Sequence, residues 1–272
     1  MVKAILYSLF LTTVVWATSL EDKIESFIGV KEYKTQKNLI HVLFKEERAF
    51  LKEDGSVDDI KVLKKLKENG LLKIFYKNPQ SLNISFVTKD NPLIFMRVIN
   101  ESLSSMGYSY FLTKRVQKKF DSFIWDIVVS TEHIVDPLIL SERLKERGCF
   151  LELVQRKNEN DWLYKINSDN IEIEAIKIEP NQKLRLKKPI KPYWIDVEGM
   201  KTVSFSSKIA DRWHPNLIFY DDKLHIVKDY KKDKATNRLK IKIPIETKYI
   251  KVTDLYTLDN IKRGISIYPI AR

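Results

Sequence analysis

The sequence predicts an α+β protein in three parts: N-terminal helices, a doubled β-α-β module, and a C-terminal antiparallel β-sandwich. Three observations carry this reading. Apolar residues recur at helical spacing between residues 20 and 70. Residues 82–167 hold one short pattern twice. From Ile171 onward, short alternating runs recur about every ten residues between Pro, Asn, Asp and Gly.

The doubled pattern starts with Asn91-Pro92-Leu93-Ile94, an apolar helical run, Gly107 and the strand-like Tyr108–Leu112. It repeats as Asp136-Pro137-Leu138-Ile139, a second helical run, Gly148 and the strand-like Cys149–Val154. Asn or Asp suits a helix cap, Pro its first turn, and Gly the left-handed residue that ends it. A β-rich run precedes each copy, Leu82–Thr88 and Phe123–Thr131. This order is that of a ferredoxin-like split βαβ module over residues 81–170. Phe123–Val129 is apolar at both alternating sets of positions and reads as a central strand covered on both sides. Residues 113–122 join the middle strands as a hairpin with a basic tip of Lys114, Arg115, Lys118 and Lys119. A turn at Asn158-Glu159-Asn160 leads into a further strand, Trp162–Ile166.

Ahead of this module, residues 18–80 read as a helical subdomain. Ser19 and Asp22 form a capping box for a helix with Ile24, Phe27 and Ile28 on one face, stopped by Gly29. A second helix is expected over Thr35–Lys52, and a third after a Ser56 cap, closed by Asn69-Gly70. Leu71–Tyr76 reads as a strand and Asn78-Pro79-Gln80 as a turn. The helix-helix-strand order resembles a winged helix, but the start of the chain argues against nucleic acid as a partner.

That start is Met1-Val2-Lys3, then an apolar run of 13 residues from Ala4 to Trp16, then Ala17. Charge, length and small residues match a Sec-type signal peptide over residues 1–17. The run is shorter than the roughly 20 residues of a membrane span. The expectation is a periplasmic or exported chain beginning near Thr18 that does not span the membrane. An uncleaved anchor and a buried first helix are the competing readings. Cys149 is the single cysteine, so no intrachain disulfide forms, and it reads as a packed, inert thiol.

The chain carries a formal charge of +12, and its distribution is uneven. Residues 171–272 hold 22 Lys and Arg against 13 Asp and Glu, while residues 18–170 are close to neutral. The attraction to anions therefore belongs to the C-terminal part. Arg238, Lys240 and Lys242 alternate with Leu239, Ile241 and Ile243, which places the cations on one sheet face. Lys228, Lys231, Lys232 and Lys234 stand close by. Among the aromatic residues, Trp213 in Ala210–Asn216 is the best candidate for exposure and for glycan or protein contact. In strand count the region resembles a jelly-roll carbohydrate module.

No zinc-protease, nucleophile-elbow or phosphate-loop motif is present, and there is no cysteine pair. His214 and His225 lie near Asp211, Asp221 and Asp222, acids that read as turn formers rather than metal ligands. No catalytic, cofactor or metal residue is expected. The leading expectation is a non-enzymatic periplasmic scaffold or adaptor docking to an envelope-spanning assembly of secretion or flagellar type. The alternative is a protein that binds peptidoglycan or another acidic glycan through the basic sandwich, with lipid phosphate as a related anionic partner.

Overall fold

The computed structural model describes residues 19–272. The segment read as a signal peptide, residues 1–17, lies outside the described residues. Helix α1 (Leu20–Ile28) opens with the expected capping box between Ser19 and Asp22, buries Ile24, Phe27 and Ile28, and stops at Gly29. The single helix expected over Thr35–Lys52 is instead α2 (Val30–Thr35), α3 (Lys37–Leu43) and a 3-10 turn at Glu47–Phe50. Breaks at Gln36 and after Leu43 let Ile40 and Phe44 turn inward, with Phe50 packed 4.6 Å from Phe44. Leu39 is exposed. Helix α4 (Asp59–Glu68) is capped by Asp58, whose carboxylate accepts from the N–H groups of Ile60 and Lys61. Ser56, the expected cap, lies two residues further out, and Asp59 becomes the first helical residue and is buried. Val62, Leu63 and Leu66 face the core.

A five-stranded sheet follows, with β1 (Phe75–Thr88), α5 (Pro92–Ser105), β2 (Leu112–Lys118), β3 (Phe123–His133), α6 (Pro137–Lys145), β4 (Phe150–Asn158) and β5 (Asp161–Asn167). The strand order is β2-β3-β1-β5-β4. A ferredoxin-like sheet would pair β4 directly with β1. Here the β4–β5 hairpin folds back so that β5 lies between them, parallel to β1 and antiparallel to β4. Asn78-Pro79-Gln80 is not a turn but part of β1. It falls where the β1–β3 register is irregular, between Phe75 and Gln80, which accommodates a residue without an N–H. The expected division after residue 80 therefore cuts a strand. One hydrophobic core runs through both sides of it, from Phe27, Leu63 and Leu66 to Phe86, Phe95 and Trp162.

The two copies of the repeated pattern differ at their caps. Asp136 caps α6, its carboxylate accepting from the Leu138 N–H at 2.9 Å. Asn91 sits in the left-handed region (φ 54°) and makes no side-chain cap bond to α5. Tyr108–Phe111 is irregular, and the strand begins only at Leu112. The outer set of β3 residues, Ile124, Asp126 and Val128, is half-buried, so this strand is covered on one face only.

The C-terminal strands are β6 (Ile176–Lys177), β7 (Leu184–Arg185), β8 (Tyr193–Asp196), β9 (Met200–Ser207), β10 (Pro215–Tyr220), β11 (Ile226–Lys231), β12 (Arg238–Lys242), β13 (Tyr249–Asp254) and β14 (Ile265–Ala271). They form two sheets, β11-β10-β13-β8-β6 and β12-β9-β14-β7. Both contribute to one core that includes Ile195, Phe219 and Val252 from the first sheet and Val203, Phe205 and Ile267 from the second. Pairing is antiparallel except between β6 and β8. Of the alternating run that begins at Ile171 only Ile176–Lys177 pairs as a strand, and Ile171 and Ile173 belong to the N-terminal core. Leu224 and Tyr249 also belong to that core, so the two parts pack against each other. Overall the described chain is a mixed α+β structure with its strands in three sheets. Among the described residues no helix is long and apolar enough to cross a membrane.

Candidate anion-binding face

The strand period of two sorts β12 into Leu239 and Ile241 facing the core and Arg238, Lys240 and Lys242 facing out. Strand β12 is the edge of its sheet and pairs only with β9, which places Arg238 opposite Ser206, Lys240 opposite Ser204 and Lys242 opposite Thr202. On the far side of β9, Ser206 faces Ser266 and Ser204 faces Tyr268 of β14. Ser266 in turn faces Arg185 of β7. One row across four strands is therefore Arg238, Ser206, Ser266 and Arg185, and the next is Lys240, Ser204 and Tyr268. Hydroxyl groups form the floor, and cations stand at both edges.

A groove of about 430 Å³ lies over these rows, and Lys183 joins its rim. Among the described residues no acid lines it. None of Lys183, Arg185, Arg238, Lys240 and Lys242 stands in an ion pair among the described residues. An extended anion laid across β12, β9 and β14 would meet ammonium and guanidinium groups along its length. The serine and tyrosine hydroxyls would serve its neutral oxygens. The hydroxyl floor, Lys183 and Arg185 escaped the sequence reading. The signal was there in Ser204-Phe205-Ser206 and Ser266-Ile267-Tyr268, whose alternation puts polar groups outside, but only strand register joins these segments to Arg238 and Lys240.

The remaining expected contacts fall elsewhere. Lys228 and Lys231 are on β11, the edge of the other sheet, and Lys232 begins the connection to β12. Lys231 pairs with Asp229 at 3.2 Å, and Lys228 lies over the Phe219 ring. The basic candidates thus separate between the β11 and β12 edges of different sheets, and of them only Arg238 and Lys240 line the groove.

Trp213, expected to be exposed, is 0% exposed. Its indole packs edge-on against Phe205 and donates to the Thr253 carbonyl at 3.0 Å, so the segment around it folds inward as a plug. The neighbouring acids hold that plug in place. Asp254 accepts from the His214 N–H at 2.7 Å and from Tyr256 and Thr257, while Asp211 pairs with Arg263 at 2.8 Å. Asp221 closes a turn by accepting from the backbone N–H groups of Lys223 and His225, as a turn-forming acid does. Among the described residues no group of three or more His, Cys, Asp or Glu is placed to hold a metal ion.

Lys114, Arg115 and Lys118 are on β2 itself rather than at a hairpin tip, and the turn proper runs from Lys119 to Ser122. Strand β2 is an edge with every residue exposed, and Arg115 is paired with Asp126 at 2.7 Å. Cys149 is buried, and burial pushes its thiol up to about 12, away from nucleophilic character.

No family model, curated protein or solved structure matches the chain.

Proposed function

We propose that the protein is a non-enzymatic binding protein of the cell envelope that holds an acidic envelope glycan on the outer face of the β12-β9-β14-β7 sheet. The observation that carries this reading is the acid-free groove with unpaired cations at its edges and hydroxyls on its floor. A sugar polymer bearing carboxylates or phosphates offers both kinds of partner at once. Lipid phosphate offers the charge without the sugar hydroxyls, and the signal-like start of the sequence argues against nucleic acid. The envelope location rests on the basic and apolar start of the sequence, Met1–Ala17. In this reading the C-terminal part is a β-sandwich, and the N-terminal part is a ferredoxin-like module enlarged by β5.

The test is cosedimentation of the mature chain with purified wall sacculi. Binding is expected at low salt and should weaken as ionic strength rises, because exposed charges are screened. The triple variant R238A/K240A/K242A should lose it. Failure of the wild type to sediment at low salt removes the glycan reading.

A second reading, a scaffold or adaptor docking to an envelope-spanning assembly of secretion or flagellar type, is favoured by a separate observation. The β2 edge of the five-stranded sheet is bare while the β4 edge is covered.

A further inference from the structure

The two edges of the five-stranded sheet are finished in opposite ways. At β4 the outward N–H of Val154 donates to Asp59 at 2.6 Å, and its carbonyl accepts from Lys23 at 2.8 Å. The Glu152 carbonyl accepts from Lys52 at 2.8 Å, so no partner strand is needed along this edge. At β2 nothing comparable happens. All seven residues of Leu112–Lys118 are exposed, and among the described residues their backbone groups bond only to β3. An uncovered edge is a template for another strand.

Two features show what kind of strand fits. Tyr110, Leu112, Val116 and Phe120 are exposed on this one stretch, an apolar load that an edge shaped only to resist pairing would avoid. Among the described residues Lys114, Lys118 and Lys119 have no ion-pair partner, and no acidic residue occurs from Tyr108 to Phe120. The lysines repel a second copy of β2, because antiparallel pairing would set like charges against each other. The same charges admit an acidic strand, so repulsion of wrong partners becomes selection of the right one.

We propose that β2 is a docking edge that takes an extended acidic segment of a partner protein by strand addition. The bulge at Lys114 turns Leu112 to the face of Val128 and Val116 to the face of Trp125, so apolar residues of the segment cover Val116 on one face and Leu112 on the other. This is independent of the glycan face and supplies the adaptor reading, on which it rests, with its contact.

The experiment places a photo-cross-linking residue at Gln117 of the full chain in the producing cells and sequences the cross-linked segment. The expected product is an acidic segment of another protein, reduced at least tenfold in K114E/K118E and unchanged in R238A/K240A/K242A. In vitro, a synthetic peptide alternating Glu and Val should bind and slow hydrogen exchange over residues 112–118, and its Lys-Val counterpart should not. The exposed positions of Lys114 and Lys118 leave folding intact, which a matching thermal transition checks. A cross-link to a second copy of this chain, to a segment without excess acid, or to nothing overturns the proposal. So does a cross-link that survives K114E/K118E. Loss of sacculus binding with the cross-link retained counts against the glycan face alone.

Discussion

Lys23 of α1 and Asp59 of α4 meet 2.9 Å apart in a buried ion pair, and together they grip one residue of β4. The ammonium donates to the Val154 carbonyl, and the carboxylate accepts from the Val154 N–H. The pair thus acts as a one-residue substitute for a neighbouring strand. Removing one partner leaves a buried charge and an orphaned backbone group, each costly in low dielectric. Asp59→Ala is expected to destabilise the protein by about 3–5 kcal/mol, the range for breaking a buried pair. Lys23→Met should cost a similar amount, and the double variant less than the sum, because no unpaired charge remains. Urea denaturation of the four proteins reads this coupling, and simple additivity would show that the two residues act separately.

Gly148, which follows α6, has φ +70°, and a Cβ built there would lie 2.0 Å from the Asn170 backbone carbonyl oxygen. That clash is with main chain and cannot be relieved by a rotamer change. Gly107, its counterpart after α5, has φ +94° with nothing within 4 Å. Gly107→Ala should therefore cost only the left-handed penalty of about 1–2 kcal/mol. Gly148→Ala should cost clearly more and lower the melting temperature further. Equal shifts in the two variants would show that the Asn170 contact relaxes freely.

The junction between the two parts also has a definite prediction. The Arg97 guanidinium of α5 lies 3.6 Å from the Trp194 ring centroid on β8, and Trp194 stacks on Tyr220 at 5.0 Å. Glu101 pairs with Arg97 at 2.9 Å and keeps the charge compensated. A partly desolvated cation–π contact contributes about 1–2 kcal/mol. Trp194→Leu retains apolar volume and removes the ring face, so it should speed hydrogen exchange in α5 and β8 while leaving Phe86 and Phe205 in intact cores. An exchange pattern unchanged in α5 and β8 would show that Leu224 and Tyr249 suffice to hold the junction.

Much of this architecture was legible residue by residue. The Ser19–Asp22 capping box, the stop at Gly29, the doubled helix-Gly pattern and the short strands after residue 171 all follow from local chemistry. What was not legible depends on register and on distant partners. The insertion of β5 between β1 and β4 leaves no local trace, since the β4–β5 hairpin has the same turn residues wherever it docks. Pro79 resembles a turn signal and is tolerated in β1 only because the partner register is irregular there. Trp213 sits in a polar segment that gives no sign of the Thr253 carbonyl 40 residues away which receives its indole N–H. The candidate face was half visible, in Arg238, Lys240 and Lys242. Its hydroxyl floor was not, because two strands far apart in sequence, β9 and β14, assemble it.

The buried protonated groups make the fold sensitive to alkali. Burial raises the Cys149 thiol from an ordinary value near 9 to about 12. It also raises the Tyr108 and Tyr193 phenols from near 10 to about 12, with the charges of Asp136 and Asp211 adding to the respective shifts. Each folded value lies above the unfolded one, so the unfolded chain loses its proton first as pH rises. The stability these groups contribute is fully present below pH 9 and is lost between about pH 9 and 12. The phenols lose hydrogen bonds as well, since Tyr108 donates to the Ile134 carbonyl at 2.8 Å and a phenolate cannot. The urea midpoint should therefore be flat from pH 7 to 8.5 and fall steadily above pH 9. Cys149→Ala should remove the earliest part of that fall, near pH 9, and Tyr108→Phe a later part beginning near pH 10. A midpoint independent of pH up to 11 in the wild type would show that these three groups open to solvent before the chain unfolds.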